Sequence, residues 1–291
     1  IRSPYQVGGI GVPEELWHAE ENGQHFLSFL GCSTIEQARK LDAATIRDKY
    51  EEYTKIFPAM FTVLDHKFCV GDPMVLFMEG KHVNVPVMSG NTSDEFPSYI
   101  EASSKEDLKK KAEEIFGKNA ETFLRFPEAM QEDSDGKYAK VNGIECTIKC
   151  LFSEKKSAGE KKPYYYYRFD PDIPGWDNAG TFHSVDLWFF FETLAKCWRP
   201  FVGQHYDLSR MMCNYWVNFI KTGDPNGNDA DGKPMPYWYP YEKEKPCEMI
   251  FMSDRPVVNC GWVTPFKEFL QEQIKKTLPI GKVFHKEWLE P

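Results

Sequence analysis

A single histidine, His183, stands between a short turn of small residues and a run of large apolar side chains at 187–191. A neutral imidazole in such a turn could act as a general base if a carboxylate held its other ring nitrogen. The common structural alternative is a packed histidine that makes hydrogen bonds beside a core helix. The pattern therefore marks His183 as a candidate base that needs a carboxylate partner.

Glu95 is the candidate for that carboxylate. It follows an apolar segment at 85–90, which predicts a buried strand that enters a loop at 91–95. In open α/β sheets, functional groups collect beyond the carboxyl ends of the strands, where a carboxylate could orient a histidine. Asp94 competes for the same role from the neighbouring position. A solvated loop acid, or a carboxylate that serves a helix N-terminus, is the structural alternative.

The elements that must position these residues are many helices and a few strands. Strands are predicted at 85–90, 164–169 and 248–252, and helices at 13–29, 34–37, 43–54, 73–79, 104–117, 120–126, 141–152, 208–223 and 264–278. Strands separated by long helical passages favour an α/β fold with a mostly parallel sheet and flanking helices. Three strands are few for 291 residues, and a parallel sheet needs covered faces and paired edges. We therefore expect more of this sheet to exist elsewhere.

The composition describes an acidic chain with enough apolar residues for a large core. Hydrophobic residues make up 42% and aromatic residues 15%, and the net charge is −9. The negative charge argues against a nucleic-acid partner, which requires a basic face. The longest apolar run, at 187–191, is far too short to cross a membrane.

Eight cysteines are scattered along the chain without a C-x-x-C pair or histidines at zinc-site spacing. Cys146 and Cys150 are four residues apart, which would make them neighbours on one face of a helix. The scattered spacing of the cysteines favours buried free thiols in a reducing compartment, so we expect a cytoplasmic protein. The chain starts at Ile1 without a signal pattern, and we expect this start to be a processing site or a break.

Two sequence patterns weakly suggest metal-binding sites. The acidic segment at 224–235 has the look of a calcium loop, but it lacks glycine at the sixth position and has Met235 where the twelfth should be glutamate. A plain turn is the favoured interpretation. His183 and Asp186 are three residues apart and could share a metal, but no third ligand is suggested. The sequence therefore predicts neither a metal nor a cofactor.

Several segments resemble type-B carboxylesterases, the family that includes cholinesterases and bacterial para-nitrobenzyl esterases. They lie at 90–95, 164–170, 180–187, 198–201 and 215–227, in the order of that family, and the likeness covers nearly the whole chain. The most specific is Tyr-Trp-Val-Asn-Phe-Ile-Lys-Thr-Gly-Asp-Pro-Asn-Gly at 215–227. The sequence looks most like the bacterial para-nitrobenzyl esterase branch.

The resemblance implies that Glu95 is the acid and His183 the base of a serine triad that hydrolyses a small-molecule ester. It also implies that residues 1–291 form the carboxyl-terminal portion of one α/β-hydrolase domain, with helical cap contributions at about 13–80 and 105–152. The family usually has glycine directly after the acid. This chain has Phe96 and Pro97 there, so we expect an acid loop of different shape.

The family's nucleophile elbow, G-x-S-x-G, is absent from the sequence. The most similar segment, around Ser157, lacks the first glycine of this motif and follows a charged segment rather than an apolar strand. We therefore expect the amino-terminal half of the same esterase, as a second chain or a missing segment, to supply the serine and the oxyanion hole, and this chain alone to be inactive. The alternatives are a non-catalytic esterase-like scaffold and an inactive truncated fragment. The presence of both Glu95 and His183 argues against the scaffold.

Overall fold

A computed structural model describes residues 13–57, 60, 62–261 and 263–277. Within these residues the chain divides into two compact units, one covering 13–76 and the other 77–277. The predicted helix at 264–278 is described as far as residue 277, and Leu278 lies outside the described residues. None of the helices in these ranges is both long and apolar enough to span a membrane.

The smaller unit is mostly helical. It contains β1 (Glu14–Glu15), α1 (Leu16–Phe29), α2 (Ile35–Ala38), α3 (Ala43–Tyr53) and β2 (Val63–Leu64), and α4 (Pro73–Met78) runs from it into the larger unit. All four predicted helices are confirmed, although α1 begins three residues late because β1 pairs in parallel with β2. Thr34 caps α2 by accepting a hydrogen bond from the Gln37 N–H at 3.3 Å.

The larger unit contains a sheet, an antiparallel strand pair and the helices around them. Its elements are β3 (Val87–Thr92), β4 (Pro97–Glu101), α5 (Lys105–Phe116), α6 (Ala120–Leu124), β5 (Lys137–Asn142), α7 (Gly143–Ser157), β6 (Tyr164–Phe169), α8 (Asp186–Phe190), α9 (Gly203–Thr222), β7 (Cys247–Phe251), β8 (Pro256–Cys260) and α10 (Pro265–Thr277).

Four strands form the sheet in the order β3-β6-β7-β8, with β3, β6 and β7 parallel and β8 antiparallel at one edge. Side chains of β6 alternate between its two faces. Tyr165, Tyr167 and Phe169 join a core with α8 and α9, and Tyr164 and Tyr166 join a second core with α7. Because both faces are covered, the predicted α/β fold with a mostly parallel sheet is confirmed.

The structure corrects the predicted element bounds between residues 137 and 157. The helix predicted at 141–152 is α7, which begins at Gly143 and continues to Ser157, and residues 137–142 form β5, a strand that was not predicted. The partner of β5 is β4, which was not predicted. This pairing joins segments about 40 residues apart, so the local pattern of either segment does not reveal it.

The free-thiol prediction was wrong at two positions. Cys247 and Cys260 stand directly opposite each other on β7 and β8 and form a disulfide. The other six cysteines are free. Cys146 and Cys150 are buried in α7 as predicted, and burial raises the pKa of both thiols to about 12.

Candidate functional site

Glu95 and His183 meet in the larger unit although 88 residues separate them, and a hydrogen bond joins Glu95 Oε1 to His183 Nδ1. Glu95 lies three residues beyond the end of β3, and His183 lies three residues before α8. The Glu95 side chain is 7% exposed and that of His183 is 53% exposed. The acid is therefore enclosed by the protein, while the imidazole remains open on its far side.

The second oxygen of Glu95 is held by Thr92. Glu95 Oε2 accepts hydrogen bonds from the Thr92 hydroxyl at 3.1 Å and, at 3.4 Å, from the Thr92 N–H. Sequence reasoning missed this residue because it ended the strand at Gly90. The parallel ladder in fact continues to the pair Thr92–Phe169, which buries Thr92 completely.

Asp94, the competing acid, faces a different partner. Its Oδ2 accepts hydrogen bonds from the N–H and the hydroxyl of Thr181, at 2.9 and 3.1 Å. Thr181 lies two residues before His183, so Asp94 fastens the loop of the base to the loop of the acid. Gly180 adopts φ +61°, and a Cβ there would lie 2.5 Å from Asp94 Oδ2. The geometry thus separates the two acids: Glu95 contacts the imidazole and Asp94 positions the loop.

Phe96 occupies the position where the resemblance leads us to expect glycine. Its φ is +26°, a positive value that is uncommon for a residue with a side chain. Its ring centroid lies 4.5 Å from that of His183, at an interplanar angle of 37°. The acid loop thus places an aromatic side chain against one face of the imidazole, a contact that no sequence pattern predicted.

Asp186, the other acid near His183, is paired with a tyrosine. The Tyr167 hydroxyl donates to Asp186 Oδ2 at 3.0 Å, and burial raises the pKa of both groups. At the suggested calcium loop, Asp224 and Asp229 accept hydrogen bonds from backbone N–H groups in turns. In the described parts of the chain, no three His, Cys, Asp or Glu side chains are grouped as metal ligands.

The Glu95–His183 pair can relay a proton, and in the described part of the chain it is not accompanied by a nucleophile of the expected kind. His183 Nε2 is the ring nitrogen that Glu95 does not contact, and the side chain as a whole is half exposed. Ser157, the nearest sequence echo of an elbow serine, ends α7 and donates its hydroxyl to the Ser153 carbonyl at 2.8 Å. Ser157 is therefore a helix-terminal residue rather than a serine on a strand-to-helix turn.

A parallel sheet covered by helices, with an acid beyond one strand and a histidine beyond the next, defines an α/β-hydrolase fold. Comparison with solved structures agrees. The chain matches PNB esterase with a TM-score of 0.58 at 21% identity, and thermophilic PNB esterase with 0.59 at 20%. Each match covers 90% of this chain and 55% of the other.

The chain belongs to the carboxylesterase family, whose model matches residues 14–259. Among curated relatives, bile salt-activated lipase of Rattus norvegicus is 24% identical over 83% of this chain, and carboxylesterase 4A of Bos taurus is 27% identical over 70%. These matches cover 47% and 40% of the two relatives. The chain therefore spans about half the length of the curated relatives that it matches.

Proposed function

We propose that this chain supplies the acid and the base of a serine-type carboxylic-ester hydrolase. A serine hydroxyl attacks the ester carbonyl carbon while His183 Nε2 takes the hydroxyl proton. The imidazolium then gives that proton to the leaving alcohol. Water, activated by the same nitrogen, hydrolyses the acyl-enzyme and regenerates the serine. Glu95 holds His183 in the tautomer that leaves Nε2 free to accept, and it stabilises the imidazolium.

The observation that carries this proposal is the hydrogen bond between Glu95 and His183. A buried carboxylate on Nδ1 of a half-exposed imidazole is the arrangement that a general base requires. Membership of the carboxylesterase family supports ester hydrolysis as the reaction. The acid and the histidine that the resemblance implied are the two residues in contact.

We propose the amino-terminal half of the same esterase as the partner, either as a second chain or as a preceding segment. It would supply the serine and the backbone donors of the oxyanion hole. The sheet supports this proposal, because in the described residues β3 pairs only with β6 and its other edge carries no strand. An unpaired edge of a parallel sheet is a template for a further strand.

The test is turnover of a para-nitrophenyl ester by the protein assembled with its serine-bearing half, together with intact mass analysis. His183→Ala should abolish turnover, and Glu95→Gln should lower kcat by about 10³- to 10⁴-fold because the amide cannot stabilise an imidazolium. Ser157→Ala is the matched control and should keep wild-type turnover. Unchanged turnover in His183→Ala would contradict the assignment of His183 as the general base.

A non-catalytic esterase-like scaffold is the alternative, and an inactive truncated fragment is another. The scaffold predicts no turnover even when the serine-bearing half is present. The truncated fragment predicts a single polypeptide without turnover, and the roles of Glu95 and His183 would then apply only to the parent enzyme.

A further inference from the structure

Glu95 needs support on the side that His183 does not reach. A buried carboxylate is costly unless its oxygens find hydrogen-bond donors. His183 occupies Oε1, and the donors to Oε2 both come from Thr92. A threonine hydroxyl has one proton, and a carboxylate oxygen can only accept, so this proton points at Glu95.

Thr92 is itself fixed from two directions. Its carbonyl accepts a hydrogen bond from Asn142 Nδ2 at 3.1 Å and another from Asn91 Nδ2 at 2.8 Å. Asn142 also caps α7, since its Oδ1 accepts from the Glu145 N–H at 3.0 Å. Asn91 Oδ1 accepts in turn from the buried Tyr166 hydroxyl. Thr92 is therefore tied to the start of a long helix and to the neighbouring strand.

We propose that Thr92 is a positioning residue, which holds the Glu95 carboxylate so that Oε1 stays directed at His183 Nδ1. The inference rests on the proposed function, because its effect on turnover presupposes the acid–base pair. Without the hydroxyl, Oε2 lacks its better-placed donor, and the carboxylate can rotate away from the imidazole.

The experiment compares Thr92→Val, which has nearly the same shape without the hydroxyl, with Thr92→Ser, which keeps the hydroxyl. The first measurement is the downfield proton NMR signal of His183 Nδ1–H in the 291-residue chain, assigned by its absence from His183→Ala. The second is ester turnover by the assembled protein. Ser93→Ala is the matched control, because its neighbouring hydroxyl has no hydrogen-bond partner in the described structure.

Thr92→Val should shift or broaden the signal and lower kcat by about ten- to hundredfold with little change in KM, as expected for a lost hydrogen bond to a charged group. Thr92→Ser and Ser93→Ala should match the wild type. If Thr92→Val does not fold, Thr92→Ser and Thr92→Ala repeat the comparison, since they differ only in the hydroxyl.

A wild-type signal and wild-type kcat in Thr92→Val would overturn the proposal, and so would the absence of the signal from the wild type. A different result separates it from the proposed function. If Thr92→Val changes the signal but the assembled wild type hydrolyses no ester, the positioning role stands and the hydrolase assignment fails.

Discussion

Asp94 accepts two hydrogen bonds from Thr181, one from the backbone N–H and one from the hydroxyl, across 87 residues of sequence. These contacts join the loop that follows β3 to the loop that precedes α8. Glu95 directly follows Asp94, and His183 lies two residues after Thr181. The distance between acid and base is therefore governed by a neighbouring pair that takes no part in the proposed chemistry.

Asp94→Ala should lower the free energy of unfolding by about 1–2 kcal/mol, because the N–H and the hydroxyl of Thr181 both lose their acceptor. It should also weaken the Glu95–His183 contact, seen as a change in the His183 ring-proton signals. Thr181→Val removes one of the two donors and should cost about half as much. Urea unfolding measures both variants, and wild-type midpoints for the pair would show that this contact does not hold the loops.

Gly90→Ala should lower the free energy of unfolding by about 3 kcal/mol, because an added Cβ would lie 2.2 Å from the backbone oxygen of Tyr167 on the neighbouring strand. A backbone atom cannot move aside without breaking the β3–β6 ladder. Gly23→Ala in α1 is the control, since nothing lies within 4 Å of its Cβ, and it should gain up to about 1 kcal/mol. Equal unfolding midpoints for the two variants would contradict the close approach.

The Cys247–Cys260 disulfide closes a loop of 13 residues, so its loss should cost about 3 kcal/mol. Dithiothreitol should lower the free energy of unfolding of the wild type, measured in urea, by this amount and leave that of Cys247→Ser/Cys260→Ser unchanged. Alkylation of the unfolded, unreduced protein should label six thiols. Labelling of all eight cysteines would mean that the pair is reduced in the purified protein.

Glu145 should make stability depend on pH. Burial alone would raise the pKa of its carboxyl group, but the ammonium groups of Lys149 and Lys267 outweigh it and hold the pKa at about 2, below its ordinary 4.5. The native state therefore favours the ionised form. Its contribution is fully present above about pH 4.5 and is lost as the pH falls through about 2.

Glu145→Gln should accordingly cost of the order of 3 kcal/mol near pH 7 and progressively less below about pH 4. Glu121→Gln is the control, because its ion pair with Arg125 is exposed on both sides and should contribute less than about 0.5 kcal/mol. Urea midpoints across this pH range measure both. A pH-independent cost in Glu145→Gln would contradict the coupling to the two lysines.

Local signals predicted most helices because helix ends are set by neighbouring residues. Ser104 caps α5 through the Asp107 N–H at 3.1 Å, and Gly117 ends that helix at a positive φ. Gly223 ends α9 in the left-handed region, as its position after the apolar repeat predicts. The aromatic run at 164–169 likewise predicted β6 at its observed bounds.

Pairings between distant segments escaped the same reasoning. The strands β4 and β5 became visible only as a pair, because each is short and mixed in polarity. The extension of β3 to Thr92 follows from the ladder with β6 and not from its own polar residues. The disulfide required two cysteines to stand opposite each other across β7 and β8, which scattered spacing does not reveal.

The sequence by itself determined the fold class and the family resemblance, and that resemblance singled out Glu95 and His183 as the candidate acid and base. These follow from residue types and short-range spacing, which the chain carries in any conformation. Only the tertiary structure decided which acid contacts the imidazole, that Asp94 joins the loops and that Thr92 supports Glu95. Such roles depend on atoms brought within about 3 Å by long-range packing, and a linear pattern does not encode those distances.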